Sequence, residues 1–211
     1  YFPLQIGQER EYRVDSVVFD PSAGAIRRDS STTFMREICT DTLRSAEGVL
    51  LYRFEQFERK ADSLPWSLQR VVFRSRDDFQ AEHIENNLRF IPLVFPAETG
   101  RSWDGLAYID PFREIEVAGE LLRPFQNWRF KVTAAGQDSL IAARTWPEVC
   151  AVEAGAENLI ELRRWDAVYA RDIGLVYQTQ WMLDSQDLSP NIPWEEKAEK
   201  GYILHQYLLK P

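Results

Sequence analysis

The strongest constraint on this chain is a side-chain period of two. In "GLVYQTQWML" (174–183), Leu175, Tyr177, Thr179, Trp181 and Leu183 fall on one face, and Val176, Gln178, Gln180 and Met182, followed by Asp184, on the other. Successive side chains alternate across a β-strand, whereas a helix repeats every three to four residues, so the run reads as a strand. The alternation recurs along the chain. "EREYRVDSVVFD" (9–20) puts Tyr12, Val14, Ser16 and Val18 on one face, and "PSAG" follows as a turn. "TTFMREICTDTL" (32–43) and "GVLLYRFEQFERK" (48–60) flank "RSAEG" and read as a hairpin whose loop contains Gly48. "WSLQRVVFRS" (66–75) and "LRFIPLVFP" (88–96) are further strands. Pro92 has no N–H for a ladder, which confines the second to an edge, a bulge or a strand end. Between them, "RDDFQAEHIENN" fits a helix through Phe79, His83 and Ile84 and a strand through Phe79, Ala81 and His83; strand is the expectation.

Further on, "REIEVAGELL" (113–122) and "NWRFKVTAAG" (127–136) read as one strand pair. The last third is the most regular: "WPEVCAVEAG" (146–155), "NLIELRRWDAVYA" (158–170), "GLVYQTQWML" and "YILHQYLLK" (202–210). The links "GAEN" and "RDIG" are short enough for hairpins. One short helix is expected near 193–200, where Pro193 opens the segment, Glu195 and Glu196 sit at its positive end, and Gly201 follows as a left-handed stop. No repeat, linker or low-complexity tract divides the 211 residues, so 1–211 is read as one β-rich domain. Sequential strands with short links imply an antiparallel meander. A sheet of roughly nine or ten strands cannot stay flat, so it curls into a half-barrel or barrel, a β-sandwich being the alternative.

Composition removes some function classes. The net charge of -8 argues against a nucleic-acid partner, which needs a basic face to neutralise phosphates. Only two histidines occur, His83 and His205, with no second His at ligand spacing, so neither a metal nor a cofactor is expected. No GxSxG elbow, Cys beside His, GxGxxG or P-loop is present. Carboxylates are plentiful, and pairs such as Glu114/Glu116 or Asp104/Asp110, the latter in and just after the "ETGRSWDG" (98–105) loop, would suit a carboxylate-dependent hydrolase if they converged on a cleft beside Trp103. Cys39 and Cys150 would form a disulfide only if their strands were neighbours; two separate buried thiols is the simpler expectation. The aromatic content, 7 Trp, 8 Tyr and 12 Phe, suits sheet faces and binding surfaces alike. A ligand inside a curved sheet would be lined by alternate residues of successive strands, which makes Tyr177 and Trp181, with Tyr169 and Trp103, the candidate wall. Packing is the commoner cause of such a stripe.

Three blocks occur in one order: "YFPLQIGQEREY" at the start, "LVFPAETGRSWDG" at 93–105, and "YARDIGLVYQTQW" at 169–181. Together they resemble a family of small Bacteroidetes-type secreted or lipid-anchored β-rich proteins, through Tyr1–Leu4, Gly7 and Tyr12, then Leu93–Pro96, Gly100, Trp103 and Gly105, then the YA-x-x-IG-x-VY hairpin. Arg10, Leu106 and Gln178 stand where relatives often carry Trp, Asn and a basic residue. The resemblance implies an extracytoplasmic domain of the periplasm or outer membrane, with a signal peptide, a lipidated Cys and a short tether encoded upstream of Tyr1, and it brings no catalytic residues. The leading expectation is thus a non-enzymatic, monomeric lipoprotein domain with a binding or cell-envelope role. A carrier of a small apolar ligand comes second and the hydrolase third; the partner is a small molecule or an envelope protein, and the only membrane link is the lipid.

Overall fold

The computed structural model describes residues 1–22 and 26–211. Its strands are β1 (Glu9–Asp20), β2 (Arg27–Arg44), β3 (Leu50–Arg59), β4 (Ser67–Arg76), β5 (Gln80–Glu85), β6 (Leu88–Val94), β7 (Ser102–Trp103), β8 (Ile115–Val117), β9 (Glu120–Leu122), β10 (Arg129–Ile141), β11 (Arg144–Glu157), β12 (Glu161–Ala170), β13 (Gly174–Asp184) and β14 (Lys200–Lys210); one helical turn, α1 (Trp194–Lys197), precedes the last. The ambiguous stretch before Asn86 is indeed a strand, β5. Of the "PSAG" turn, Ala23 and Gly24 lie outside the described residues.

Twelve strands form one antiparallel sheet in the order β6-β5-β4-β3-β2-β1-β14-β13-β12-β11-β10-β7. The first strand therefore sits mid-sheet, paired to β2 on one side and to the last strand on the other. Two meandering arms leave this junction and curl until their ends meet. There the Ile91 N–H donates to the Gly105 carbonyl at 2.8 Å, and the Trp103 indole N–H donates to the Ile91 carbonyl at 2.7 Å. These bonds join the β6 edge to the β7 segment and give a barrel with a seam. Pro92 sits in β6 on this edge, beside a register irregularity between Ala81 and His83, in keeping with its missing N–H.

Left-handed backbone makes the tight turns. Asn86 and Asn87 (φ 51° and 61°) close β5–β6, and Ala118 and Gly119 (φ 50° and 82°) close β8–β9, the pattern of a two-residue hairpin matched to strand twist. This second turn corrects the expected pairing of 113–122 with 127–136. Residues 115–122 instead fold on themselves as a separate two-stranded sheet, and β10 pairs with β11 and β7. The excursion between β7 and β10 crosses toward β12 and β14. The Arg163 Nε donates to the Arg123 carbonyl at 3.1 Å, and the Lys200 Nζ to the Leu121 carbonyl at 3.1 Å. The N-terminal segment packs into the main core through Phe2, Tyr1 and Leu4.

The helix is shorter than expected. It ends at Lys197 because Ala198 is already extended (φ -61°, ψ 131°). Gly201 is not its stop but a residue of β14, at φ 115°, where an added Cβ would lie 1.8 Å from the Met182 carbonyl oxygen. Glycine is required there because β13 and β14 approach too closely for a side chain.

The outer face carries charged pairs in mid-strand. Arg13 and Asp15 on β1, Arg53 and Glu55 on β3, and Arg164 and Asp166 on β12 pair at 3.0, 2.6 and 2.6 Å. On a lipid-facing wall, mid-plane Arg costs about 2–4 kcal/mol each, so this is a water-facing surface. Among the described residues no helix is long and apolar enough to cross a membrane.

Gly201→Ala should destabilise the domain by about 3 kcal/mol, from the clash and the left-handed backbone together. A urea titration would show the midpoint fall at unchanged slope; an unchanged midpoint would mean β13 and β14 can separate freely.

Candidate functional site

The barrel is hollow. Its interior holds a cavity of about 470 Å³, inside the range of small-ligand sites. Six strands from β1 to β6 contribute to its wall, as do β10, β12, β13, β14, the β7–β10 excursion and the N-terminal segment. The wall has two chemistries.

One side is apolar. Phe130 of β10 is its centre, with ring centroids 5.5 Å from Trp165 of β12 and 5.9 Å from Trp128. Phe125, from the excursion, meets Phe90 of β6 at 6.1 Å. These rings meet at tilted angles, the arrangement that aromatic quadrupoles favour. The Trp128 indole N–H has no acceptor.

The other side is a chain of charges. Glu37 of β2, its side chain 1% exposed, accepts two hydrogen bonds from the Arg74 guanidinium of β4 at 2.6 and 2.5 Å and one from Gln56 of β3 at 2.8 Å. Arg10 approaches the same carboxylate at 3.5 Å and donates through Nε and Nη2 to the Ile173 carbonyl at 3.0 and 2.7 Å. Arg74 continues through Nε to His83 Nδ1 at 3.3 Å, His83 Nε2 meets Glu85 at 3.2 Å, and Glu85 pairs with Arg70. Burial alone would raise the Glu37 carboxyl, but the charge and hydrogen bonds of Arg74, then Arg10, outweigh it and hold it at about 2. Glu85 is likewise held at about 2, against burial, by the His83 hydrogen bond and the Arg70 charge. Burial pushes His83 below its ordinary range, the Glu85 bond only partly opposing this. The imidazole is therefore neutral at pH 7. It accepts from Arg74 at Nδ1 and donates from Nε2 to Glu85.

The β12–β13 turn explains one contact. Arg171–Gly174 make it, with Gly174 at φ 97°; a Cβ there would meet the Arg10 guanidinium at 2.8 Å. Gly174 thus leaves room for the arginine that ties the first strand to this hairpin.

The expected wall residues are scattered. Tyr169 lines the cavity and packs on Phe2 at 6.3 Å between centroids. Trp103 sits at the seam. Tyr177 and Trp181 point outward, because the register sets Trp181 with Ile203 and Tyr177 with Tyr207, opposite in phase to the cavity-lining Leu204 and Gln206. Of the stripe, only Leu175 reaches the cavity, since Val176 is an extra residue in the pairing with β12. The inward face is the one that looked polar, Gln178, Gln180 and Met182. The outward stripe is covered instead: Trp181 and Leu183 pack with Phe19, Ala198 and Trp194 beneath the segment that carries α1. Tyr177 stacks beside His205 and donates to or accepts from its Nδ1 at 3.1 Å.

Other expectations resolve by position. Cys39 and Cys150 are both buried and free, on β2 and β11, which are not neighbours in the sheet, so the disulfide is not formed. Burial raises the Cys150 thiol to about 11. Asp104 and Asp110 each accept from a backbone N–H two residues on, at 3.0 and 2.9 Å, and neither lines the cavity. Glu114 pairs with Arg123 at 3.0 Å. Among the described residues no group of three or more His, Cys, Asp or Glu is placed to hold a metal ion.

No protein-family model matches the sequence, and no curated protein does. Among solved structures, a Bacteroides fragilis protein inferred to be exported, of YmcC-like fold, aligns over 99% of this chain and 96% of its own at 10% identity and a TM-score of 0.37. At that similarity the match carries neither fold nor function across.

Two outcomes test the charged wall. Arg74→Met leaves Glu37 buried beside a weak second partner and should cost about 3–5 kcal/mol, whereas Arg70→Met, on a half-exposed side chain, should cost under about 1 kcal/mol; equal losses in chemical denaturation would contradict the assignment of Glu37 to Arg74. Because folded His83 lies below its ordinary 6.5, the unfolded chain binds more protons as pH falls. Its contribution is complete above about pH 6.5 and declines through the folded value. Melting temperature should fall from about pH 7.5 to about pH 5.5, and less in His83→Gln. His205, also lowered by burial, keeps part of the slope.

Proposed function

We propose that this chain is an extracytoplasmic binding domain that holds a small molecule inside its barrel, and that it performs no chemistry on that molecule. The single observation behind the reading is the cavity of about 470 Å³ lined largely by one curled sheet and walled on one side by aromatic rings. A space of that size equals roughly fifteen waters of liquid volume. It is larger than the voids that close-packed interiors leave, and its walls bring convergent polar groups to an apolar surface, as small-molecule sites do. The extracytoplasmic setting, as a lipid-anchored periplasmic or outer-membrane protein, is supported by the three ordered sequence blocks. The reading without chemistry is supported by the engagement of His83 and both glutamates with neighbouring groups and by the burial of the thiols.

A neutral fluorescent probe of the right size, N-phenyl-1-naphthylamine, should bind with one-to-one stoichiometry. Leu204→Trp, which fills the cavity from β14, should weaken it at least about tenfold while leaving the melting temperature within a few degrees. Native mass spectrometry of gently purified protein should show an adduct of a few hundred daltons that Leu204→Trp loses. Probe binding that ignores Leu204→Trp would place it elsewhere and sink the proposal.

A further inference from the structure

We propose that the molecule held in the barrel is an amphiphile with a single negative charge, its head on Arg70 and Arg74 and its apolar body against Phe130 and Trp165. The proposal rests on the reading of the barrel as a ligand-binding interior and adds the ligand's charge and orientation.

The charge balance of the wall carries it. Among the described residues, the ionised groups that line the cavity are the guanidiniums of Arg10, Arg70 and Arg74 and the carboxylates of Glu37 and Glu85, three positive against two negative. His83 links the pairs as a neutral hydrogen-bond relay and adds nothing to the sum. The wall therefore carries one guanidinium more than it has carboxylates, with Arg10 and Arg74 sharing Glu37 in its buried part. An anion of charge one would balance that excess.

Unspent donors remain on two of these arginines. Arg10 and Arg74 share Glu37, and Arg10 also spends Nε and Nη2 on the Ile173 carbonyl. Arg74 uses Nε on His83 and one N–H of each Nη on Glu37, so two of its five N–H groups remain. Arg70 uses one on Glu85, and its side chain is 47% exposed, which puts it at the rim. An anionic head set between Arg70 and Arg74 would take the unspent donors of both. Guanidinium suits a carboxylate or phosphate-type head because its fork donates two parallel bonds. The apolar body of the ligand would lie against the aromatic wall at Phe130 and Trp165.

Two probes of one shape separate the claims: 2-naphthoate, an anion, and 2-naphthamide, its neutral counterpart. Titration at low salt, followed by naphthalene fluorescence, should give one-to-one binding with naphthoate at least about tenfold tighter. Arg70→Gln should remove most of that preference by weakening naphthoate and leaving naphthamide unchanged, and Leu204→Trp should weaken both. Equal affinity for the two probes would overturn the charge assignment while leaving the binding interior intact. A naphthoate preference untouched by Arg70→Gln would place the head elsewhere and overturn the orientation. If neither probe binds and N-phenyl-1-naphthylamine also fails, the binding interior itself is wrong; if only the naphthalene pair fails, the amphiphile is.

Discussion

A carboxylate with almost no access to water organises this fold. Glu37 sits on β2 and is held by Arg74 from β4, Gln56 from β3 and Arg10 from β1. Through Arg10 the network reaches the Ile173 carbonyl in the β12–β13 turn, on the other arm of the sheet. One acidic group thus links strands that the ladder alone connects only at β1 and β14. Such a network is weak evidence for stability, since well-packed hydrophobic residues often do as well in the same volume. Its removal in part is costly, because each lost partner leaves a charge buried and bare.

Much of the architecture was written in the local pattern. Period-two runs located the long strands, "RSAEG" and "RDIG" located two hairpin turns, and Pro92 correctly marked an edge. Strand pairing failed where a short turn competed with a longer reading, at Ala118-Gly119, because the same apolar spacing served a small hairpin and a long strand. The helix boundary failed at Gly201 because its need for glycine came from a neighbouring strand's carbonyl, a contact far in sequence.

The inside of the barrel was the harder question, and the outcome ran against hydrophobicity. Along β13 the aromatic face turned outward and the glutamine face inward. Alternation reports that two faces differ in burial, but it does not say which is inside when both are covered. Here the outer face is buried by residues of the segment around α1, whose packing on Trp181 and Leu183 has no signature in β13 itself. A usable signal did exist elsewhere. Met35, Glu37 and Cys39 share one face of β2, and Arg10 shares a face with Tyr12 on β1. A charged residue at a phase otherwise occupied by buried ones is expensive unless something inside requires it, and here it lines the cavity.

The exterior and interior of the domain carry opposite signs. The chain has a net charge of -8, while the cavity wall holds one guanidinium more than it has carboxylates. The net charge of the chain repels an anion at long range. At physiological salt that repulsion is screened within about 8 Å, whereas the arginines act at contact, in a medium that screens poorly. In the proposed complex, discrimination by charge acts at the cavity wall and its rim. It would favour a ligand that partitions on its apolar body first and is sorted by its head once inside, which is the order in which an aromatic wall and a buried cation cluster would act.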